Sequence, residues 1–547
     1  MFLSQSFKNI STCVILLNFL FLPALILSLA YCSSIDEGIT FDYGYDGYID
    51  ELREKEMPHL NNETYLDYTG SGLYTQAQID AFYSLLQSNL YCNAHSRAPC
   101  SIRTEKEVNE ARDLILSFFN TSSSEYSVVF TSGATQGLKM IGEYFPWTEE
   151  SAFVYTTHNH NSVLGMRKYA KRAGGIFKAF EQSELEEILS EFQDSVQINT
   201  EEVDPFGDDF GGFSGFSGNT WTWGDKGDNP AHLFAFPAEC NFSGIKYPLD
   251  WINEIKRGDM GAALNAKLAQ YDGIDRSDGE WFVALDAAAF VPTNRLDLSL
   301  TPADFVVMSF YKMFGFPTGL GALLVRHDVA ERLQKPYFGG GSVSIVGCRE
   351  DFCQEKPRPS DRLEDGTVGF LNIIALKEGF KLINETLGGI ENIEQHVSAV
   401  TQYAFERLSS LKHENGNNVV EIYGNHEKQW INGEYGVQGG ILSLSVHRPD
   451  GSFVGYYTVQ EKSAQHRIHL RTGMVCNPGA CYSLLGLDET LVCEMAAEKE
   501  SCGDDIDMVN GMPLGSVRVS FGFASTKNDV DRLVEFIRQE FMEESSL

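Results

Sequence analysis

The most informative segment for the fold is Asp304-Phe-Val-Val-Met-Ser-Phe-Tyr-Lys312, with its continuation Met-Phe-Gly-Phe-Pro-Thr-Gly-Leu-Gly321. The apolar residues predict a buried strand, and the glycines and proline after the lysine predict a fixed loop. A lysine in such a desolvated place has a lowered pKa and is suited to form a Schiff base. The alternative for Lys312 is a surface lysine whose stem lies along a strand end.

Two motifs on either side of this segment also place polar groups after predicted strands. Val128-Val-Phe-Thr-Ser-Gly-Ala-Thr135 predicts a strand, a turn and the start of a helix, and such a turn presents N–H groups and a hydroxyl to an anion. Trp281-Phe-Val-Ala-Leu-Asp286 predicts an apolar strand that ends on a carboxylate. Ligands bind at the carboxyl ends of strands in open α/β sheets, so Asp286 is suited to pair with a protonated ring nitrogen. Capping a helix is its alternative.

Short apolar strands alternate with helical stretches from Tyr65 onward, and this alternation predicts an α/β fold. The length of 547 residues suggests more than one folded unit. The predicted order is an apolar N-terminal segment (1–35), an acidic linker (36–60), a large domain (61–385) with a flexible acidic and glycine-rich insertion at about 181–230, and a smaller C-terminal α+β domain (386–547).

Charge and cysteine content exclude several classes of function. The formal net charge of −34 argues against a nucleic-acid partner, because phosphate contacts need a basic face. The 11 cysteines are scattered and none forms a C-x-x-C pair. Neither a disulfide framework nor a metal site is therefore predicted.

The N-terminal segment carries no charge between Lys8 and Asp36. Its apolar run is long enough to cross a bilayer, and a cleaved signal, a membrane anchor and an organelle-targeting leader all fit it. The sequence therefore predicts a membrane-associated, organellar or secretory location, with a cytoplasmic location as the alternative.

Further motifs extend the pattern along roughly residues 60 to 545. They are Tyr65-Leu-Asp-Tyr68, His160-Asn-Ser-Val-Leu-Gly-Met-Arg167, Asn241-Phe-Ser-Gly244, Arg362-Leu-Glu-Asp-Gly-Thr367, Leu470-Arg-Thr-Gly-Met-Val-Cys-Asn-Pro-Gly-Ala-Cys481 and Gly515-Ser-Val-Arg-Val-Ser-Phe-Gly522. With the three strand-end motifs, they resemble class V, fold-type I pyridoxal-phosphate enzymes, and among these the aminotransferase-like domain of molybdenum cofactor sulfurases. The resemblance implies a large domain with a mostly parallel mixed sheet flanked by helices, plus a smaller C-terminal α+β domain.

The resemblance also implies pyridoxal 5'-phosphate as the cofactor and a role for each matching residue. Lys312 would bind the cofactor covalently and move protons, and Asp286 would keep the ring nitrogen protonated. Arg518 would bind the substrate carboxylate, with a structural ion pair as its alternative. The other expected contacts are stacking on the ring by His160, a hydrogen bond to the ring phenolic oxygen from Asn241, and phosphate binding by Gly133, Ala134, Thr135 and Ser309. Thr367 would reach the phosphate of a partner subunit, which implies a homodimer.

Cys476 matches the position at which the family carries sulfur as a persulfide, and an inert buried thiol is the alternative. The expected reaction releases alanine from L-cysteine. Met474 stands where family members often have a second cysteine, and Cys481 matches a cysteine of less defined role. The family usually continues into a domain that binds the molybdenum cofactor, whereas this sequence ends earlier, so the sulfur acceptor stays open.

Two other functions compete with cysteine desulfuration. One is another class V reaction, such as selenocysteine lysis or transamination. The other is a non-catalytic module tethered to a membrane, and the joint presence of Lys312, Asp286 and Arg518 argues against it, because a scaffold needs none of them.

Overall fold

The computed structural model describes residues 41–201, 229–490, 492 and 506–542. The elements described below belong to one compact unit, Tyr43–Leu547. The helices are α1 (Ile49–Glu56), α2 (Gln76–Ser88), α3 (Pro99–Phe118), α4 (Ala134–Tyr144), α5 (Asn161–Leu164), α6 (Arg167–Arg172), α7 (Gln182–Glu201), α8 (Trp251–Arg257), α9 (Asp259–Asp272), α10 (Phe310–Phe314), α11 (His327–Ala330), α12 (Pro359–Leu363), α13 (Phe370–Lys381), α14 (Ile390–Ser409), α15 (His426–Trp430), α16 (Tyr456–Gln465), α17 (Pro478–Leu485) and α18 (Lys527–Ile537).

Short helical turns and strands complete the element order. Pro58–Leu60 is a 3-10 turn, and Leu382–Thr386 and Arg538–Met542 are π-helical turns. The strands are β1 (Thr64–Tyr65), β2 (Tyr126–Thr131), β3 (Ala152–Thr156), β4 (Ile176–Phe180), β5 (Ala231–Pro237), β6 (Glu280–Asp286), β7 (Phe305–Ser309), β8 (Gly321–Arg326), β9 (Val343–Val346), β10 (Cys353–Glu355), β11 (Val420–Tyr423), β12 (Ile441–His447), β13 (Phe453–Val454), β14 (Ile468–His469), β15 (Arg471–Gly473), β16 (Met508–Val509), β17 (Met512–Pro513) and β18 (Ser516–Ser520).

The main sheet has seven strands in the order β2-β8-β7-β6-β5-β3-β4. Strand β8 is antiparallel to both neighbours, and the other pairs are parallel. The carboxyl ends of β2, β3, β5, β6 and β7 therefore meet at one edge of the sheet. The predicted α/β class with a mostly parallel mixed sheet is confirmed.

Both faces of the main sheet are buried, as a parallel sheet requires. Every residue of β5 is buried, and alternate side chains enter different cores. Phe234 packs in the core that includes Trp251 of α8, whereas Leu233 packs in the core that includes Leu138 of α4. Burying each large apolar side chain stabilises the fold by about 2 kcal/mol, so this double burial fixes the register of the strand.

A second, antiparallel sheet lies in the C-terminal part of the chain, in the order β11-β12-β18-β15, and β13 also pairs with β12. Strand β18 is buried along its length and carries Arg518. An isolated parallel bridge joins Asp67 to Ser520. The second sheet thus brings a C-terminal arginine beside the first part of the chain. A domain boundary between residues 385 and 386 stays a prediction.

Three local features differ from the sequence-based expectations. The stretch 36–60, predicted as a linker, contains α1, because Ile49 and Leu52 are three residues apart and bury one narrow face among exposed acidic residues. The stretch 181–230, predicted as a flexible insertion, begins with α7, and its residues 202–228 lie outside the described ranges. Cys92 and Cys100 form a disulfide, although the cysteine spacing suggested no disulfide framework.

The prediction of a membrane-associated, organellar or secretory location is corrected. Within the described ranges, no helix is both long and apolar enough to cross a membrane. The apolar segment 1–35 on which the prediction rested lies outside those ranges.

Candidate functional site

A cleft opens where the strand ends of the main sheet meet. It encloses about 530 Å³, including open solvent at its mouth. It is lined by Ala134, Thr135, His160, Asn241, Asp286, Ser309 and Lys312, all of which the sequence predicted for the site. Chain topology explains this convergence, because each of these residues follows or ends a strand of the main sheet.

The turn between β2 and α4 forms the first wall of the cleft. The Ala134 N–H donates to Ser309 Oγ at 2.9 Å, and Thr135 Oγ1 lies 2.9 Å from Ser162 Oγ. Gly133 has φ +152°, and a Cβ there would lie 3.3 Å from Ser309 Oγ. A glycine therefore allows the two strand ends to approach. Hydroxyl groups and a helix N-terminus that meet in this way suit an anion such as a phosphate.

Lys312 lies in α10, directly after β7, as the sequence predicted. Burial lowers the pKa of Lys312, the charge of Arg518 lowers it further, and the charge of Asp286 opposes both. The amine forms no salt bridge with any residue in the described part of the chain. The lowered pKa favours the neutral, nucleophilic form of this amine more than in a surface lysine.

Asp286 and His160 face the cleft from the ends of β6 and β3, two strands that flank β5. Asp286 is only 8% exposed, and its Oδ1 accepts the Ala288 N–H at 3.1 Å, so one oxygen does serve as a local cap. His160 Nδ1 accepts the Ser162 N–H at 3.1 Å, which leaves the proton on Nε2. Burial lowers the pKa of His160, against the charge of Asp286, which favours a neutral ring. A neutral ring is suited to stack on a flat ligand.

Arg518 is 3% exposed and makes the ion pair that was its alternative. Its Nη2 donates to Asp67 Oδ1 at 2.8 Å, and its Nη1 donates to the carbonyl oxygen of Asn241 at 2.7 Å. Its Nε is buried and has no hydrogen-bond partner among the described residues. A buried donor without a partner costs stability, so this Nε is available to a ligand group that reaches it.

Cys476 lies beside the cleft, not in its wall, in the loop between β15 and α17. Its thiol is exposed, and its carbonyl oxygen accepts the Asn161 N–H at 2.8 Å. Val475 and Cys476 both have positive φ, +45° and +58°, which is unusual for a β-branched residue and a cysteine. The Asn241 side chain donates to the Val475 carbonyl oxygen at 2.8 Å and holds this strained loop against the cleft.

The other cysteine of this motif has a different environment. Cys481 is buried in α17, and burial raises the pKa of its thiol to about 12. The thiolate is the reactive form, so Cys481 is a poor nucleophile at neutral pH. The structure therefore separates one accessible thiol, Cys476, from one inert thiol.

Thr367 does not join the other predicted residues. Its side chain is exposed outside the cleft and accepts a hydrogen bond from Asn93 Nδ2 at 3.0 Å. The predicted contact with a partner's phosphate stays a prediction.

Two buried carboxylates near the cleft, Glu239 and Asp67, were not predicted from the sequence. Glu239 lines the cleft, is 2% exposed and accepts a hydrogen bond from Asn294 Nδ2 at 3.1 Å. Burial raises the pKa of Glu239 to about 8, against the charge of Lys246. It follows the apolar strand β5 just as Asp286 ends β6, so the same strand-end rule would have found it. Asp67 belongs to the motif Tyr65-Leu-Asp-Tyr68, but the sequence indicated no role for this residue.

We expect the wild type to lose stability as the pH becomes alkaline, and we expect Glu239→Gln to lose less. The folded protein holds the Glu239 proton up to a pKa of about 8, whereas the unfolded chain releases it near 4.5. The stability that this group contributes is full below pH 4.5 and is lost as the pH rises through about 8. The total loss is on the order of 5 kcal/mol.

Denaturant unfolding at about pH 5 and pH 9 measures this effect. Glu391→Gln is the control, because Glu391 is exposed and, among the described residues, forms a salt bridge only with Arg295. Equal pH dependence in the wild type and in Glu239→Gln would contradict a buried, protonated carboxyl.

Comparisons with known proteins fit this geometry. The aminotransferase class-V family model matches residues 64–203 and 274–533. The molybdenum cofactor sulfurase of Bos taurus is 41% identical over 502 residues, which cover 90% of this chain and 52% of that protein. The molybdenum cofactor sulfurase of Solanum lycopersicum is 40% identical and covers 91% and 58%. The chain thus spans about half the length of the curated relatives it matches.

Solved structures support the fold. A cysteine desulfurase from Thermococcus onnurineus NA1 superposes with a TM-score of 0.63 at 19% identity, covering 90% of this chain and 97% of that chain. The cystine C-S lyase C-DES, solved with its reaction product cysteine persulfide, superposes with a TM-score of 0.57 at 17% identity, covering 89% and 100%. At these identities the likeness concerns the fold alone.

Proposed function

Because the chain belongs to the aminotransferase class-V family, we propose that it is a pyridoxal-phosphate-dependent cysteine desulfurase. It takes sulfur from L-cysteine, releases alanine and carries the sulfur as a persulfide on Cys476. The observation that carries this proposal is the position of the exposed Cys476 loop beside a cleft that contains Lys312 and Asp286. The names of the relatives, molybdenum cofactor sulfurases, favour the same chemistry.

Pyridoxal 5'-phosphate fits the residues of the cleft. Its phosphate would be held by Gly133, Ala134, Thr135 and Ser309, its ring by His160, its ring nitrogen by Asp286, its phenolic oxygen by Asn241 and its carbonyl carbon by Lys312. The fit rests on the glycine that opens the turn, on the helix N-terminus and on the lowered pKa of Lys312. When bound, the cofactor supplies an electron sink that weakens bonds at the α- and β-carbons of an amino acid.

The side chains divide the remaining work. Arg518 binds the substrate carboxylate through its free Nε, and Lys312 takes the proton from the α-carbon and returns it. Cys476 attacks the substrate sulfur as a thiolate, so an S–S bond forms as the Cβ–S bond breaks. In net terms, L-cysteine and the Cys476 thiol give L-alanine and the Cys476 persulfide, so atoms and electrons balance without another reagent.

We also propose the molybdenum cofactor as the final acceptor of the sulfur. Support comes from the names of relatives that are about 40% identical over most of this chain. To test this step, the protein is loaded with a labelled persulfide and incubated with sulfur-free molybdenum cofactor. We expect the label to move to the cofactor. Label retained on the protein would point to another acceptor.

Assembly as a homodimer completes the proposal. Near Thr367 in the chain, Leu371 exposes an apolar side chain, as do Tyr337 and Phe338. The Gly366 N–H donates to the Gly340 carbonyl oxygen at 2.7 Å, so the segments around residues 340 and 366 lie side by side. An exposed apolar cluster of this kind favours contact with another chain. We expect sedimentation to show twice the chain mass. A fully active monomer would contradict the dimer.

Turnover of cysteine tests the proposed function. The purified protein, supplied with pyridoxal phosphate, L-cysteine and a thiol reductant, is expected to release alanine and sulfide in equal amounts. Selenocysteine and a keto acid with an amino donor are the comparison substrates. Alanine and selenide formed from selenocysteine but no alanine from cysteine, or transamination faster than desulfuration, would favour the other class V reactions.

A further inference from the structure

The buried ion pair of Asp67 and Arg518 connects the arginine proposed to bind the substrate carboxylate to the loop proposed to carry the sulfur. We propose that Asp67 is a positioning residue that couples the occupancy of Arg518 by a carboxylate to the reactivity of Cys476. This inference rests on the proposed function and adds a mechanism by which the bound amino acid and the nucleophile are coordinated.

Asp67 binds two arginines at once. Its Oδ1 accepts a hydrogen bond from Arg518 Nη2 at 2.8 Å. Its Oδ2 accepts two hydrogen bonds from Arg471, from Nε at 2.9 Å and from Nη2 at 2.7 Å. The Asp67 backbone also forms a parallel bridge to Ser520, in the strand that carries Arg518. One carboxylate therefore serves both arginines, and a change in its bond to one of them affects the other.

Strand register explains why a carboxylate is needed here. Strands β15 and β18 are antiparallel, and Arg471 stands directly opposite Arg518. Like charges opposite each other destabilise a sheet. Asp67 lies between these two guanidinium groups and compensates one of their two charges.

Both sides of the Cys476 loop connect to this group. Arg471 begins β15, the strand that enters the loop. Arg518 also donates a hydrogen bond to the Asn241 carbonyl oxygen. The Asn241 side chain donates to the Val475 carbonyl oxygen at 2.8 Å and accepts a hydrogen bond from Asn477 Nδ2 at 3.0 Å. These two contacts lie on either side of Cys476. Arg518 is thus connected to the loop through two separate sets of hydrogen bonds.

Charge balance explains how binding of a carboxylate at Arg518 could affect the Cys476 loop. Two arginines and one carboxylate leave one positive charge uncompensated, and an incoming carboxylate supplies the missing negative charge. It binds the free Nε of Arg518 and competes with Asp67 for Nη2, because a carboxylate prefers two parallel donors of one guanidinium. Asp67 then shifts its hydrogen bonds toward Arg471, and the strand that enters the Cys476 loop shifts with it.

The rate of Cys476 alkylation by iodoacetamide, followed by peptide mass spectrometry, measures this coupling directly. Propionate is the probe, because it offers a carboxylate but has neither an amine that reacts with the cofactor nor a sulfur. We expect propionate to change the wild-type rate about fivefold relative to chloride at equal ionic strength, which is the lower end of typical coupling between sites. Asp67→Asn should alkylate faster without propionate and respond to it weakly.

Arg471→Gln is the second variant, because Arg471 is half exposed and its loss leaves the buried pair of Asp67 and Arg518 intact. It should lose the response to propionate and lower kcat for cysteine with KM unchanged. Arg295→Gln is the matched control, since Arg295 is equally exposed and pairs with Glu391 elsewhere on the surface.

The outcomes separate this inference from the proposed function. A wild type that shows no response to propionate, or an Arg471→Gln variant that keeps the full response, overturns the coupling. If Asp67→Asn does not fold, the Arg471→Gln result alone decides. If the wild type responds as expected but does not turn over cysteine, the coupling stands and the proposed function fails.

Discussion

Cys476→Ser is expected to lower alanine release from cysteine at least about a hundredfold while cofactor binding is retained. Cys476 is the only exposed thiol of its loop, because Met474 occupies the neighbouring position and a thioether forms no persulfide. A serine hydroxyl is a far poorer acceptor of sulfur than a thiolate, so the lost step is chemistry and not binding.

Two matched variants separate this loss from general damage. Cys353→Ser replaces an exposed thiol on β10 and should keep full activity. Cys481→Ser should keep at least part of the activity, since burial raises the pKa of that thiol to about 12. Full turnover by Cys476→Ser would remove the persulfide mechanism altogether.

Lys312→Ala is expected to abolish turnover and the covalent bond to pyridoxal phosphate. Burial lowers the pKa of Lys312, and within the described ranges this amine makes no salt bridge that would hold it charged. Its loss therefore removes both the covalent attachment and the group that moves the α-proton.

The measurement is borohydride reduction of the wild type followed by peptide mapping, with absorbance and alanine release compared between variants. Lys412→Ala, an exposed lysine far along the chain, is the control and should behave as the wild type. Cofactor found on a different lysine after reduction would show that the site has been assigned wrongly.

The position of candidate residues at strand ends could be predicted from the sequence. Asp286, Ser309 and Lys312 each end or follow an apolar strand, and parallel topology brings such ends to one edge of a sheet. The apolar run of each strand and the turn residues after it are local, so no long-range information was needed to place them.

Contacts between distant segments were the part that the sequence did not predict. Asp67 meets Arg518 only because a second sheet folds back onto the first part of the chain, and nothing near Asp67 indicates that partner. The disulfide between Cys92 and Cys100, which are only 8 residues apart, depends instead on the local path of the backbone. Helix α1 was missed because two buried side chains, Ile49 and Leu52, make too weak a pattern among acidic neighbours.

Mass spectrometry of the protein after brief exposure to L-cysteine, without a reductant, examines where the sulfur goes. The structure offers two cysteines in the motif, one exposed with a strained loop around it and one buried. We predict one added sulfur atom on the peptide that contains Cys476, assigned to that residue by fragmentation, together with an equal amount of alanine. A persulfide on Cys481 and none on Cys476 would contradict the proposed route of the sulfur.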